Sequence, residues 1–196
     1  MNRTQIDVGR GGFALWFTGL SGAGKTTITR ILARQLRERG IRLEILDGDV
    51  VRANLSPDLG FDKKSRDLNI RRIAFVSQLL VRNGVGVMVA AISPYREERE
   101  LARSIIGPER FIEVFVDAPL DVCIERDVKG LYAKALSGEI KNFTGVSDPY
   151  EAPVDPQVTL CTAPETPEES AARVLAYLES DGWLPVEELQ AQAAGA

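Results

Sequence analysis

Eight consecutive residues, Gly19-Leu20-Ser21-Gly22-Ala23-Gly24-Lys25-Thr26, carry three glycines, a lysine and a hydroxyl in P-loop spacing. Glycines at these positions let the backbone curl until successive N–H groups point at one phosphate. Lys25 is then suited to bridge the β- and γ-phosphates, and the Thr26 hydroxyl to ligate Mg²⁺. The motif follows an apolar run, Ala14–Thr18, and opens a helical pattern with Ile28, Ile31, Leu32, Gln35 and Leu36 before Gly40. A helix N-terminus adds positive potential where phosphate would sit. This much implies a nucleotide phosphate without naming an acceptor.

A second group lies in Leu46-Asp47-Gly48-Asp49, at the end of a strand predicted over Arg42–Leu46. Ligands in open α/β sheets bind beyond the carboxyl ends of strands. Two carboxylates there suit a cation or its waters, and can accept a hydrogen bond from an attacking hydroxyl. Arg52 is three residues on, a helical spacing that sets it beside Asp49. Arg66 and Asn69, also three apart, are expected on one helix face directed away from Ile70 and Ile73. With Arg52 they would form a cluster for a bulky anion.

Composition limits the alternatives. The chain has 196 residues, 44% of them hydrophobic, and no histidine. Ser–His or Cys–His nucleophilic chemistry, His metal ligation and a His general base are excluded. Cys123 and Cys161 are too few for a disulfide scaffold or a structural zinc site, and read as two reduced packing residues. A net charge of −4 disfavours nucleic-acid backbone binding. No apolar run reaches a membrane span, and Met1–Arg10 lacks the core of a signal peptide, so a cytoplasmic protein is expected.

The elements that must position these groups alternate. Strands are predicted at Ala14–Thr18, Arg42–Leu46, Val85–Ala91, Phe111–Asp117 and Val158–Leu160, and helices at Leu68–Asn83, Glu97–Ile106 and through Cys123. Thr166-Pro167-Glu168-Glu169 has a capping-box pattern opening a last helix to about Ser180. The pattern predicts a single α/β domain over 1–185, a P-loop NTPase-type three-layer sandwich whose mostly parallel central sheet is flanked by helices. Residues 129–156, rich in Lys, Gly, Pro and aromatics, are too long for a plain connector and read as a mobile lid or binding insertion. Residues 186–196, rich in Ala and Gln, are expected to form a flexible tail.

Taken together, Gly19–Thr27, Asp47–Arg52, Asp58–Phe61, Arg66–Arg72, Ile92–Arg96, Arg126–Tyr132, Phe143–Gly145 and Pro149–Pro153 resemble the adenylyl-sulfate kinase (APS kinase) family. The resemblance runs in order over roughly residues 13–185. It implies transfer of the γ-phosphoryl of MgATP to the 3′-hydroxyl of adenosine 5′-phosphosulfate (APS), giving PAPS and ADP in sulfate activation. It places ATP on Gly19, Ser21, Gly22, Ala23, Gly24, Lys25, Thr26 and Thr27, with Arg126, Thr162, Ala163 and Glu165 flanking the adenine. It places APS on Asp49, Arg52, Phe61, Arg66, Asn69, Ile92, Ser93, Lys129, Asn142 and Phe143. The residue chemistry agrees: Phe61 and Phe143 can stack on adenine, and Phe143, in a polar Gly-rich loop, reads as a base platform rather than a core residue. Arg52 and Arg66 can fork onto the phosphosulfate.

Lys25, Asp47 and Asp49 are the expected catalytic residues, with Mg²⁺ held by Thr26 and Asp47, partly through water. Either aspartate can accept the hydroxyl proton. The resemblance attaches a phosphoserine to Ser93, but no histidine exists to activate that hydroxyl, so direct in-line transfer is expected. It also implies a homodimer and allows association or fusion with an ATP sulfurylase. Two rival readings fit less of the chain. A P-loop kinase for another small hydroxyl acceptor leaves Phe61, Phe143 and Ile92–Arg96 unexplained. A non-catalytic regulatory module of an ATP sulfurylase sits badly with intact Lys25, Thr26, Asp47 and Asp49.

Overall fold

The computed structural model describes residues 11–184; Met1–Arg10 and the tail 186–196 lie outside the described residues. Five strands, β1 (Ala14–Thr18), β2 (Leu43–Asp47), β3 (Gly86–Ala90), β4 (Phe111–Asp117) and β5 (Val158–Cys161), form one sheet in the order β2-β3-β1-β4-β5. Every neighbouring pair is parallel. The register sets Phe17 opposite both Ala90 and Val114, so β1, β3 and β4 end side by side. The chain leaves β1 toward one edge and returns across it from β3 to β4. This is the switch point at which open α/β sheets bind ligands.

Alternation along β1 divides the core. Leu15 and Phe17 join the cluster beneath α1 (Lys25–Glu38) and α7 (Pro167–Ser180). Ala14 and Trp16 join the opposite cluster beneath α3 (Lys63–Val81) and α4 (Arg96–Ile106). β1 is buried at every residue, as a central strand covered on both faces must be. The three-layer α/β expectation is thus met. α7 opens on the expected capping box: Thr166 caps the Glu169 N–H, and the Glu169 carboxylate returns to the Thr166 N–H at 2.8 Å. Such caps contribute about 1 kcal/mol each.

Sequence and structure part in four places. α3 begins at Lys63, capped by Asp62, rather than at Leu68, and ends at Val81 rather than Asn83. Arg66 and Asn69 do not face away from Ile70 and Ile73; all four are buried on α3. Spacings of three, four and seven residues put them on one inward stripe, which the charge of Arg66 disguised. Cys161 is exposed at the end of β5, so only Cys123 is a packing residue. Finally, Phe143 is a core residue, 8% exposed. The remaining helices are α2 (Gly48–Leu55), α5 (Leu120–Arg126) and α6 (Leu131–Leu136). α6 lies within the 129–156 segment, where six residues were too few to show a period. Among the described residues no helix is long and apolar enough to cross a membrane.

Candidate active site

The phosphate loop is shaped by backbone constraints. Gly19 adopts φ +149°, and a Cβ there would stand 2.4 Å from the Val116 carbonyl of β4. Gly24 adopts φ +109° immediately before α1, a conformation that L side chains rarely take. The loop between them hangs from the end of β1 and delivers Lys25 to the first residue of α1. Its ammonium is buried and donates to Gly19 O at 2.8 Å and Leu20 O at 2.7 Å. Burial lowers the Lys25 pKa to about 8, opposed by Cys123, aided by the Lys129 charge and opposed again by Asp49 and Asp47.

Asp47 ends β2 and caps α2. One carboxylate oxygen accepts from the Asp49 N–H at 3.0 Å, and the other accepts from the Thr26 hydroxyl at 2.8 Å. The first turn of α1 and the end of β2 therefore meet at one hydroxyl–carboxylate pair. Among the described residues no group of three or more Asp, Glu, Cys or His side chains could form a metal cage. One hydroxyl and one carboxylate suit a small hard cation that keeps waters and takes its other ligands from phosphate. Asp49, in the first turn of α2, forms an ion pair with Lys129, which brings together two residues 80 apart in sequence.

The acceptor-side residues are drawn together by arginines. Arg52 donates to Leu59 O at 3.2 Å and Gly60 O at 2.7 Å, and its guanidinium lies 4.5 Å from the Phe61 ring centroid. Burial first, and the Arg66 charge second, lower the Arg52 pKa from its ordinary value. Arg66 is 9% exposed. Its Nε donates to Phe61 O and its Nη1 to the Thr144 hydroxyl, both at 2.7 Å, while Nη2 donates to Asn142 O. Three of its donors thus stitch the turn carrying Phe61 to the loop carrying Asn142 and Phe143. The expected fork onto an anion is engaged internally. Phe61 is 59% exposed, whereas Phe143 packs edge-on against Tyr132, centroids 5.0 Å apart. Its polar neighbours in sequence gave no hint of this. Asn69 is buried, and its Oδ1 has no hydrogen-bond partner among the described residues.

Ser93 adopts φ +41°, one of two non-glycine residues in the left-handed region among those described; the other is Asn142 at φ +56°. The Ser93 hydroxyl accepts from the Trp16 indole at 3.0 Å and reaches Ala91 O at 3.4 Å. Neither partner is a base. Ile92 O accepts from the Thr18 hydroxyl at 2.7 Å and from the Gly19 N–H at 3.4 Å, which ties this turn to the start of the phosphate loop.

On the opposite side Arg126 donates to Gly22 O and to both oxygens of Thr162, and the Thr162 hydroxyl donates to Ala23 O at 2.8 Å. Ala163 is exposed. Glu165 is engaged by Ser170 at 3.1 Å and Arg173 at 2.8 Å. Residues assigned no role from sequence complete the frame. The Asp127 carboxylate accepts from the Tyr132 and Ala133 N–H groups at 3.0 Å and so anchors α6. Tyr132 OH then donates to Ser21 O at 3.0 Å, supporting the phosphate loop from below. Their proximity to Arg126 in sequence was the available signal.

This geometry meets a consistent set of relatives. A family model described as adenylylsulphate kinase matches residues 11–161. The adenylyl-sulfate kinase of Rippkaea orientalis is 60% identical over 173 residues, spanning 88% of this chain and 94% of that protein. A probable bifunctional SAT/APS kinase 2 of Sorangium cellulosum is 55% identical over 174 residues, 89% of this chain but 30% of that protein. The APS kinase CysC of Mycobacterium tuberculosis, solved in complex with AMPPNP and APS, superposes with a TM-score of 0.83 at 45% identity, covering 86% of this chain and 98% of that one.

Proposed function

The chain belongs to the adenylylsulphate kinase family, and from that premise we propose that it transfers the γ-phosphoryl of ATP to the 3′-hydroxyl of APS, giving PAPS and ADP. The observation that carries the reading is the meeting of Lys25, Thr26 and Asp47 at the end of β1 and β2. Around it stand the arginine-bound turns that hold Phe61, Phe143 and Ser93.

In this reading Lys25 and the loop amides hold the phosphate oxygens as charge spreads over the moving group. Thr26 and Asp47 would hold Mg²⁺, partly through water, and the bound ion would neutralise phosphate charge. Asp49, steadied by Lys129, orients the ribose. The bond from the APS 3′-oxygen to phosphorus forms as the β–γ bridging bond breaks. ADP departs, and the hydroxyl proton passes to the Asp47–Asp49 pair. A loose transition state needs no enzyme nucleophile, and Ser93, bonded to an indole rather than a base, serves as a turn. Phe61 offers adenine an exposed ring, and buried Phe143, packed against Tyr132, holds the 142–145 loop that Arg66 bonds. Residues 129–156 close over the nucleotides and exclude water. Arg126 and Thr162 border the ATP base. The reading includes a cytoplasmic homodimer, and the bifunctional Sorangium relative supports association with a sulfurylase.

PAPS formation from APS and MgATP tests this directly, with Lys25→Ala and Asp47→Ala as inactive controls. A wild-type chain that releases ADP with another hydroxyl acceptor but not with APS would sink it.

A further inference from the structure

The five residues Arg96-Glu97-Glu98-Arg99-Glu100 open α4, four of them charged side chains of the helix predicted over Glu97–Ile106. Glu98 and Arg99 are nonetheless buried, Arg99 the more deeply. It is 2% exposed, among the largest fully buried side chains described. Its three donor positions point to three different segments. Nε donates to the Glu113 carboxylate of β4 at 2.7 Å, Nη1 to Ser93 O at 2.8 Å, and Nη2 to Glu151 O at 2.7 Å. Arg103 donates to the second Glu113 oxygen at 3.2 Å, so the carboxylate behind Arg99 is itself fixed.

We infer that Arg99 is a positioning residue for the acceptor substrate: it locks the Ile92–Ser93 turn and the 149–153 segment into one wall of the APS site. The inference rests on the reading of that turn as an APS contact. Three observations carry it. Ser93 holds a backbone conformation disfavoured for any residue with a side chain, and such conformations persist only where the surroundings over-determine them. The determinants here are the Arg99 bond to Ser93 O, a longer bond to the same oxygen from the Thr18 hydroxyl at 3.3 Å, and the Trp16 bond to Ser93 Oγ. Next, the other end of the fork holds Glu151 O, while the Glu151 N–H donates to Pro94 O at 2.8 Å. The C-terminal part of the proposed lid is thus laid against the same turn. Last, the turn is bonded through Thr18 to the start of the phosphate loop, and Thr18 also pairs with Tyr150 OH at 2.9 Å. One guanidinium therefore sets where acceptor-side backbone stands relative to the donor loop.

A buried ion pair adds little net stability over apolar packing. What Arg99 adds is direction, because a planar fork reaches three acceptors at fixed angles and a lysine ammonium does not. That difference gives the test. Arg99→Met and Arg99→Lys are compared with wild type for kcat, for KM toward APS and ATP separately, and for the indole N–H resonance of Trp16, assigned through Trp183→Phe. Both variants are expected to raise KM for APS at least tenfold, to leave KM for ATP within twofold, and to move the Trp16 resonance. Should Arg99→Met fail to fold, Arg99→Lys, which keeps a cation against Glu113, decides alone. Unchanged KM for APS in an active enzyme overturns the inference, as does an equal rise in both KM values or an unmoved Trp16 resonance. A wild type without PAPS formation instead overturns the proposed function, and the Trp16 resonance still decides whether Arg99 sets the turn.

Discussion

The two sides of the site are built by different means. On the proposed reading, the phosphate-holding part of the donor side is one continuous stretch, residues 19–27, whose shape follows from glycine conformations and one close approach to β4. The acceptor side is assembled from α2, α3, the β3–α4 turn and residues 129–151, joined by Arg52, Arg66 and Arg99 bonding to backbone oxygens. A loop of glycine turns takes its shape from its neighbours and a strand end, with Arg126, Tyr132 and Thr162 bracing three of its carbonyls. A site of distant segments needs long side chains with several donors, held rigid by burial. Damage to the first should therefore remove chemistry, and damage to the second should remove one substrate.

The largest expected effect breaks the donor side. Lys25→Ala should lower turnover by about a hundredfold to a thousandfold, the usual cost of one charge-stabilising donor, with the fold retained by circular dichroism. The same lysine gives a pH signature. Its folded pKa, about 8, lies below the ordinary 10.5, so between these values the unfolded chain holds a proton that the folded chain has lost. Its contribution to stability consequently rises with pH across that window. Affinity for ATP falls over the same window as the ammonium is lost. Titrating ATP binding and melting temperature together would show opposite slopes, and Lys25→Ala would flatten both.

A smaller effect sharpens the comparison from the other side. Arg66→Lys keeps the charge but cannot serve Phe61 O, Thr144 Oγ1 and Asn142 O together. It should raise KM for APS about tenfold, the worth of one charge-assisted hydrogen bond, and leave KM for ATP alone. Equal losses for both substrates would show that the two sides are not separable. The smallest effect is at Ser93. Ser93→Ala removes a hydroxyl bonded to Trp16, and turnover should stay within about threefold of wild type if phosphoryl transfer is direct. Complete loss with APS binding intact would restore the serine as a nucleophile.

The same contrast explains what could be read from the chain. The strands, α1, the α7 cap and the phosphate loop follow from periodicity and short motifs, because each depends on neighbours within one or two turns. Asp47 and Asp49 were legible from their place at a strand end. The buried arginines were not. Charge suggests solvent, so Arg66 was set on the wrong face of α3 and Arg99 was lost in a run of glutamates. Phe143 shows the converse, a core residue concealed by polar neighbours. Burial of these groups depends on partners 14 to 78 residues away, Glu113 for Arg99 and Thr144 for Arg66, which no local pattern encodes.

One feature of the phosphate loop bears on selectivity among anions. The Lys25 ammonium holds two carbonyl oxygens of its own loop. Any phosphate that recruits it must outcompete those carbonyls, so ligand binding is an exchange of partners rather than a simple gain. Inorganic phosphate or a monophosphate tail brings few contacts to offset the exchange, whereas a triphosphate engages the loop amides along its length. The exchange thereby favours a long, highly charged phosphate chain over a short one.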